Sequence, residues 1–215
     1  MSVTDYLTVA ATADSEIEVR RSRFRCRVAR VETEEESRAV VEEARRRHWD
    51  ARHHCSAFVL GPDAAVQRSS DDGEPSGTAG APMLEVLRGR ELSDVVAVVT
   101  RWFGGVLLGA GGLVRAYSDA VRASLDEAEI VQRRLLELVD VAVPHADAGR
   151  LENDLRGRGV VVRGVDYAAA ATLHLAVPAA GGAALDRLLA ELTAGAAAPV
   201  PVGSAWVDAP VPASS

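Results

Sequence analysis

The chain has 215 residues, 48% hydrophobic and 26% charged, with a formal net charge of −7. That is the make-up of a folded globular protein with room for one large domain or two small ones. Bulk charge does not recruit nucleic acid, so such a partner needs a local basic patch, and an aromatic content of 4% argues against a surface that stacks many bases.

All 24 basic residues are arginine, each a planar fork suited to phosphate or carboxylate. The first fifteen residues carry acids and no apolar core of signal-peptide length. No stretch approaches ~20 uninterrupted apolar residues, so no membrane span is expected. Cys26 and Cys55 lie in apolar runs without metal-ligand spacing, which points to a reducing, cytoplasmic compartment.

Residues 16–31 alternate and predict a strand. Its apolar side is Ile17, Val19, Phe24, Cys26 and Val28; its other side is Arg21, Arg23, Arg25 and Arg27. The arginine face either tracks phosphates or is a solvated face neutralised by Glu32, Glu34, Glu35 and Glu36. Residues 33–48 predict a helix capped by Thr33, with Glu36 completing a capping box and Val40, Val41 and Ala44 facing inward. A hairpin over 55–60 and 64–69 follows, then an acidic loop, a helix over 79–89 and an apolar, central strand over 95–102. Residues 112–127 predict a helix with Leu113, Tyr117, Ala120, Val121 and Leu125 on one side.

From about residue 136 the pattern reads strand 136–143, helix 145–157, strands 160–167 and 171–177, helix 181–193 and strand 202–207. That is the β-α-β-β-α-β order of a ferredoxin-like domain. The fold class is therefore α+β, with domains over 1–135 and 136–208 and a loose tail over 209–215.

Two loops carry the chemistry. Gly104, Gly105, Gly109, Gly111 and Gly112 lie between the central strand and the next helix. Such glycines let backbone amides and a helix N-terminus converge on a phosphate or carboxylate, with Arg101 and Arg115 closing on the same anion. Close strand-to-helix packing demands glycine equally. The spacing is neither a Walker loop nor a dinucleotide fingerprint.

The acidic loop holds Asp71, Asp72 and Glu74, with Ser76 or Thr78 as a cap for the following helix. The acids either shape the loop and meet a partner or bind a divalent cation; the loop lacks the EF-hand pattern, and shape is the favoured role. His54 and Cys55 are adjacent in an extended run and point to opposite faces, so they form no nucleophile pair, and zinc lacks further ligands nearby.

Ser70-Asp71-Asp72-Gly73-Glu74-Pro75, Gly77-Thr78-Ala79-Gly80-x-Pro82-Met83-Leu84 and Thr100-Arg101-Trp102-Phe103-Gly104-Gly105-x-x-Leu108-Gly109-x-Gly111-Gly112-Leu113-Val114-Arg115 together resemble the IMPACT/YigZ family. So do His53-His54-Cys55-Ser56-Ala57-Phe58 and Ser22-Arg23-Phe24. The resemblance is strong over residues 16–127 and weaker in the alanine-rich second domain. It implies a first domain like the second domain of small-subunit ribosomal protein S-five, a fold shared with a domain of elongation factor G and with GHMP kinases. It implies a second domain like the last domain of elongation factor G.

Eukaryotic relatives regulate translation through a further partner-binding domain that this sequence lacks. The implied function is a translation-associated binding protein that contacts RNA, the ribosome or a translation factor through the glycine loop with Arg23, Arg25, Arg101 and Arg115. An enzyme acting on a phosphorylated small molecule and a protein–protein adaptor are the alternatives. No cofactor or metal is expected, and no metallopeptidase ligand set supports a proline dipeptidase.

Overall fold

The structure is a computed structural model that describes residues 3–211. It divides into two compact units, residues 1–133 with 208–215, and residues 134–207.

The first unit is built on an antiparallel sheet of order β2-β3-β6-β4-β5: β2 Ala13–Val19, β3 Ser22–Arg30, β4 His53–Leu60, β5 Val66–Ser70 and β6 Val95–Trp102. β6 is central and buried along nearly its whole length, as its unbroken apolar run predicts. A short strand, β1 (Asp5–Val9), precedes the sheet and went unpredicted; Tyr6 donates to the Asp94 carboxylate, and Ser93 N donates to Leu7 O at 2.9 Å.

Helices α2 (Gly80–Gly89) and α3 (Ala110–Glu127) cover one face of this sheet. The main core lies between, with Phe24, Cys26, Val28, Cys55, Ala57, Val95, Ala97 and Val99 meeting Met83, Leu87, Tyr117 and Val121. Helix α1 (Glu34–Arg47) covers part of the other face, setting Val40, Val41 and Ala44 on Val96, Val98, Ala29 and Leu60. Thr33 caps α1, and Glu36 returns to the Glu32 amide rather than to the cap residue's own.

The single strand expected over 16–31 is a hairpin. Val19 pairs with Ser22, leaving Arg20 and Arg21 as a two-residue loop with φ of 47° and 67°. Turns of this kind favour Asn and Gly because both centres need positive φ. Two arginines here are strained, so the sequence carries no ordinary turn signal.

The second unit is formed from β7 (Ile130–Val143), α4 (His145–Gly157), β8 (Val161–Tyr167), β9 (Ala171–Pro178), α5 (Gly182–Thr193) and β10 (Val200–Pro210), β7 and β10 having their outer ends in the first unit. The β-α-β-β-α-β order and the strand order β10-β7-β9-β8 make it ferredoxin-like. Leu151, Leu155, Leu185 and Leu189 of its helices pack on Val139, Val141, Leu173 and Leu175 of its sheet. On the sheet, His174 lies between Asp140 and Asp166 at 2.6 and 3.1 Å.

The strand expected to end at 207 runs to Pro210, and Asp208 accepts from Arg30 at 2.7 Å. The expected tail over 209–215 therefore starts within a strand, and residues 212–215 lie outside the described residues. Among the described residues no helix is long and apolar enough to cross a membrane.

Candidate anion-binding surface

The two loops hold different helix N-termini, and only one of these is occupied from within the chain. At α2 the occupant is Asp71. Its carboxylate accepts from the amides of Gly77 at 2.8 Å, Ala79 at 3.0 Å and Gly80 at 2.8 Å. Burial pushes this carboxyl up, but the three amide bonds outweigh it and hold it below its ordinary value. Ser76 and Thr78 do not cap α2 as expected: Ser76 is exposed, and the Thr78 hydroxyl turns back to Pro75 O at 2.6 Å. Asp71 reaches the amides from across the loop and leaves them no orphan donor to fill.

Asp72 and Glu74 are likewise spent within the fold. Asp72 accepts from His54 N at 2.6 Å and from Arg45 Nη2 at 2.8 Å. Glu74 is buried and takes two bonds on one oxygen, from Arg101 Nη1 and from Tyr117 OH, both 2.7 Å. The loop is thus a set of internal clasps. Among the described residues no cluster of three His, Cys, Asp or Glu side chains is arranged to hold a metal ion.

Cys55 lies beneath these clasps. It is fully buried, donates to Asp71 O at 3.0 Å and to Tyr117 OH at 3.3 Å, and burial pushes its thiol up to about 12. Such a thiol is inert as a nucleophile at neutral pH. His53 Nδ1 faces the Asp72 carbonyl at 2.8 Å rather than the sulfur.

At α3 the N-terminus is open. Gly109 is its N-cap with φ of 73°, no side chain caps it, and no acid lies in its first turn. Gly105 also needs its glycine, with φ of 84°, and both residues are exposed. Gly111 has open space around its Cα, whereas a Cβ on Gly112 would meet Leu108 at 3.0 Å.

Gly104 serves packing rather than an anion. A Cβ there would lie 2.0 Å from the Arg21 carbonyl, and its amide donates to Ser22 Oγ at 3.2 Å. That close approach seats the strained Arg20-Arg21 turn on the glycine loop, and Arg20 Nη1 reaches Leu107 O at 3.5 Å.

The arginines sort by what they pair with. Arg101 was expected to close on an anion; instead its side chain is 8% exposed and ion-paired with Glu74. Arg23 and Arg25 were candidates either for phosphate contact or for a face neutralised by Glu32, Glu34, Glu35 and Glu36. They lie 3.7 Å from Glu16 and 3.9 Å from Asp14, the cross-strand carboxylates of β2 rather than the acids of α1. Arg23 also lies over the Trp102 ring, 4.5 Å from its centroid.

Arg115 is exposed in the second turn of α3 and has no ion pair among the described residues, and the same holds for Arg20 and Arg21. The turn arginines were missed as site residues. Their signal was the change of parity between Ile17–Val19 and Phe24–Val28, which marks a turn at the two arginines between them.

Residues 20–125 match the Impact N-terminal domain, and residues 141–196 match a domain of unknown function, DUF1949. The chain is 40% identical over 190 residues to the IMPACT family member YvyE of Bacillus subtilis, covering 88% of each chain. It is 38% identical over 192 residues to the IMPACT family member YigZ of Escherichia coli, covering 88% of this chain and 94% of the other. A solved crystal structure of a hypothetical protein matches with a TM-score of 0.63 at 35% identity, covering 94% of this chain and 98% of that one.

Proposed function

The chain belongs to the IMPACT family, and from that premise we propose that it is a translation-associated binding protein whose first unit holds the phosphates of RNA or the ribosome. The carrying observation is that, among the described residues, Arg20, Arg21 and Arg115 have no ion pair and lie near an uncapped helix N-terminus, whereas most arginines are ion-paired. Unpaired guanidinium groups and first-turn amides supply the two kinds of donor that phosphate oxygens accept from. The net charge of −7 belongs to the whole chain and leaves room for a local basic patch, which is what phosphate contacts need.

Co-sedimentation with ribosomes and with purified RNA across a salt series tests this reading. Wild-type protein binds at low salt and releases as salt rises, and changing Arg20, Arg21 and Arg115 to Ala weakens binding and flattens the salt dependence. Binding that survives this triple change unaltered sinks the proposal.

A second reading rests on one observation. Leu107 is 81% exposed and Phe103 49%, an apolar tip on the glycine loop that suits a protein surface such as a translation factor. A pull-down lost on Leu107→Asp yet resistant to nuclease favours that partner.

A further inference from the structure

Trp49 is 83% exposed, in the connection between α1 and β4. The segment 45–54, Arg-Arg-Arg-His-Trp-Asp-Ala-Arg-His-His, has four arginines and a single carboxylate within an otherwise acidic chain. That carboxylate, Asp50, is turned aside and accepts from Trp102 Nε1 at 2.8 Å. Arg46 and Arg52 are exposed and have no ion pair among the described residues. Burial first, and then the charges of Arg25 and Arg47, push the pKa of His48 down, against Asp50.

Trp49 continues the surface described above. His48 sets its ring edge against Trp102, 5.2 Å between centroids, and Arg23 covers the same indole. Trp102 in turn precedes the glycine loop. A run of cations and aromatic faces thus passes from the Arg20-Arg21 turn through Arg23 and Trp102 to His48, the residue before Trp49 in the chain. The core of a protein–protein interface is depleted of charge and groups several apolar side chains. Arg45 and Arg47 are paired with Glu42, Asp72 and Glu43, so the free forks of the segment are Arg46 and Arg52; with the exposed indole they offer a flat face for a base and donors for the flanking phosphates.

We propose that Trp49, with the exposed Arg46 and Arg52 three residues before and after it in the chain, is the stacking platform for an unpaired nucleobase of a single-stranded nucleic acid. The proposal rests on the phosphate-binding reading and adds that the ligand is single-stranded there.

The test uses the full chain and fluorescein-labelled oligouridine, oligodeoxythymidine and a duplex of equal length, followed by anisotropy at several salt concentrations. Trp49→Ala weakens binding to the single strands about 5- to 100-fold, leaves the salt slope unchanged, and leaves the duplex unaffected. Trp49→Phe restores most of the affinity, since it keeps a π face. Arg46→Ala with Arg52→Ala lowers the salt slope instead. Loss in Trp49→Ala of binding to RNA, to DNA or to both upholds the platform, and a preference for RNA assigns a contact to the 2′-hydroxyl.

Single-strand binding unchanged in Trp49→Ala, but lost when Arg20, Arg21 and Arg115 become Ala, overturns the platform and keeps the phosphate reading. Wild-type protein inert toward all three probes overturns both. A partner held through Trp49 after nuclease treatment also overturns the platform, in favour of a protein.

Discussion

Arg101 and Glu74 form a buried ion pair, Nη1 to Oε1 2.7 Å, with side chains 8% and 3% exposed. The pair fastens the end of β6 to the acidic loop, and Tyr117 of α3 adds its hydroxyl to the same oxygen. The glycine-rich and acid-rich segments are therefore joined underneath by a charge pair.

Breaking that pair leaves a buried charge without a partner. Glu74→Ala is expected to cost about 3–5 kcal/mol of stability, because Arg101 stays in a site that water does not reach. Arg101 Nε already lacks a hydrogen-bond partner, so the guanidinium has no second anchor on that side. Replacing both residues, Arg101→Met with Glu74→Leu, is expected to cost less than Glu74→Ala alone. Urea unfolding gives both numbers; a loss under about 1 kcal/mol for Glu74→Ala would mean that the pair does not hold the loop.

The turn at Arg20 and Arg21 exchanges stability for charge. Both residues have positive φ, which costs about 1–2 kcal/mol per non-glycine residue. Arg20→Asn with Arg21→Gly relieves the strain and is expected to raise stability by about 1–2 kcal/mol, while weakening RNA or ribosome binding. Thermal unfolding and co-sedimentation of the same variant check the two halves. A variant that is more stable and binds as well as wild type removes the turn from the binding surface.

Asp71 acts as the N-cap of α2 from a distance, so Asp71→Ala is expected to cost about 1–2 kcal/mol. Its folded carboxyl is held below the ordinary value. The stability it contributes is therefore complete above the unfolded carboxylate pKa, about 3.9, and is lost as pH falls through the lower folded value. The gap in urea midpoint between wild type and Asp71→Asn should be constant from neutral pH to about 5 and close only in stronger acid. A gap that is already closed at neutral pH contradicts this role.

His174 has the opposite sign. Both ring nitrogens face carboxylates, Asp140 and Asp166, so both donate only when the ring is cationic. These two hydrogen bonds, Asp140 first, raise its pKa. The clasp contributes fully below the unfolded histidine value, about 6.5, and is lost as pH rises through the folded one. Urea midpoints of wild type and His174→Gln should differ most in mild acid and converge in alkali, and an NMR titration of the imidazole reads the raised pKa directly. A midpoint gap that grows with pH would refute the clasp.

Much of this fold is legible in residue order. The apolar run of β6 gave the central strand, Val40, Val41 and Ala44 gave the packed stripe of α1, and Leu113, Tyr117, Ala120, Val121 and Leu125 gave the buried side of α3. These succeed because burial repeats with the period of the element, so neighbours along the chain report on one another. The hairpin at Arg20-Arg21 failed because turn chemistry was sought in Gly, Asn and Pro, whereas the change of apolar parity carried the information.

Residue order was enough for two α+β domains, the family, and which loops hold polar and glycine residues. Which charges are free emerges from the packing of strands and loops. Arg101 is buried against Glu74, 27 residues earlier, and Arg23 and Arg25 lie near carboxylates on the neighbouring strand, while Arg20, Arg21 and Arg115 have no ion pair among the described residues. Helical pairs such as Arg38–Glu34 and Arg156–Glu152 are local, but the partners of Arg101, Arg23 and Arg25 depend on which strands and loops lie side by side, and no local pattern encodes that.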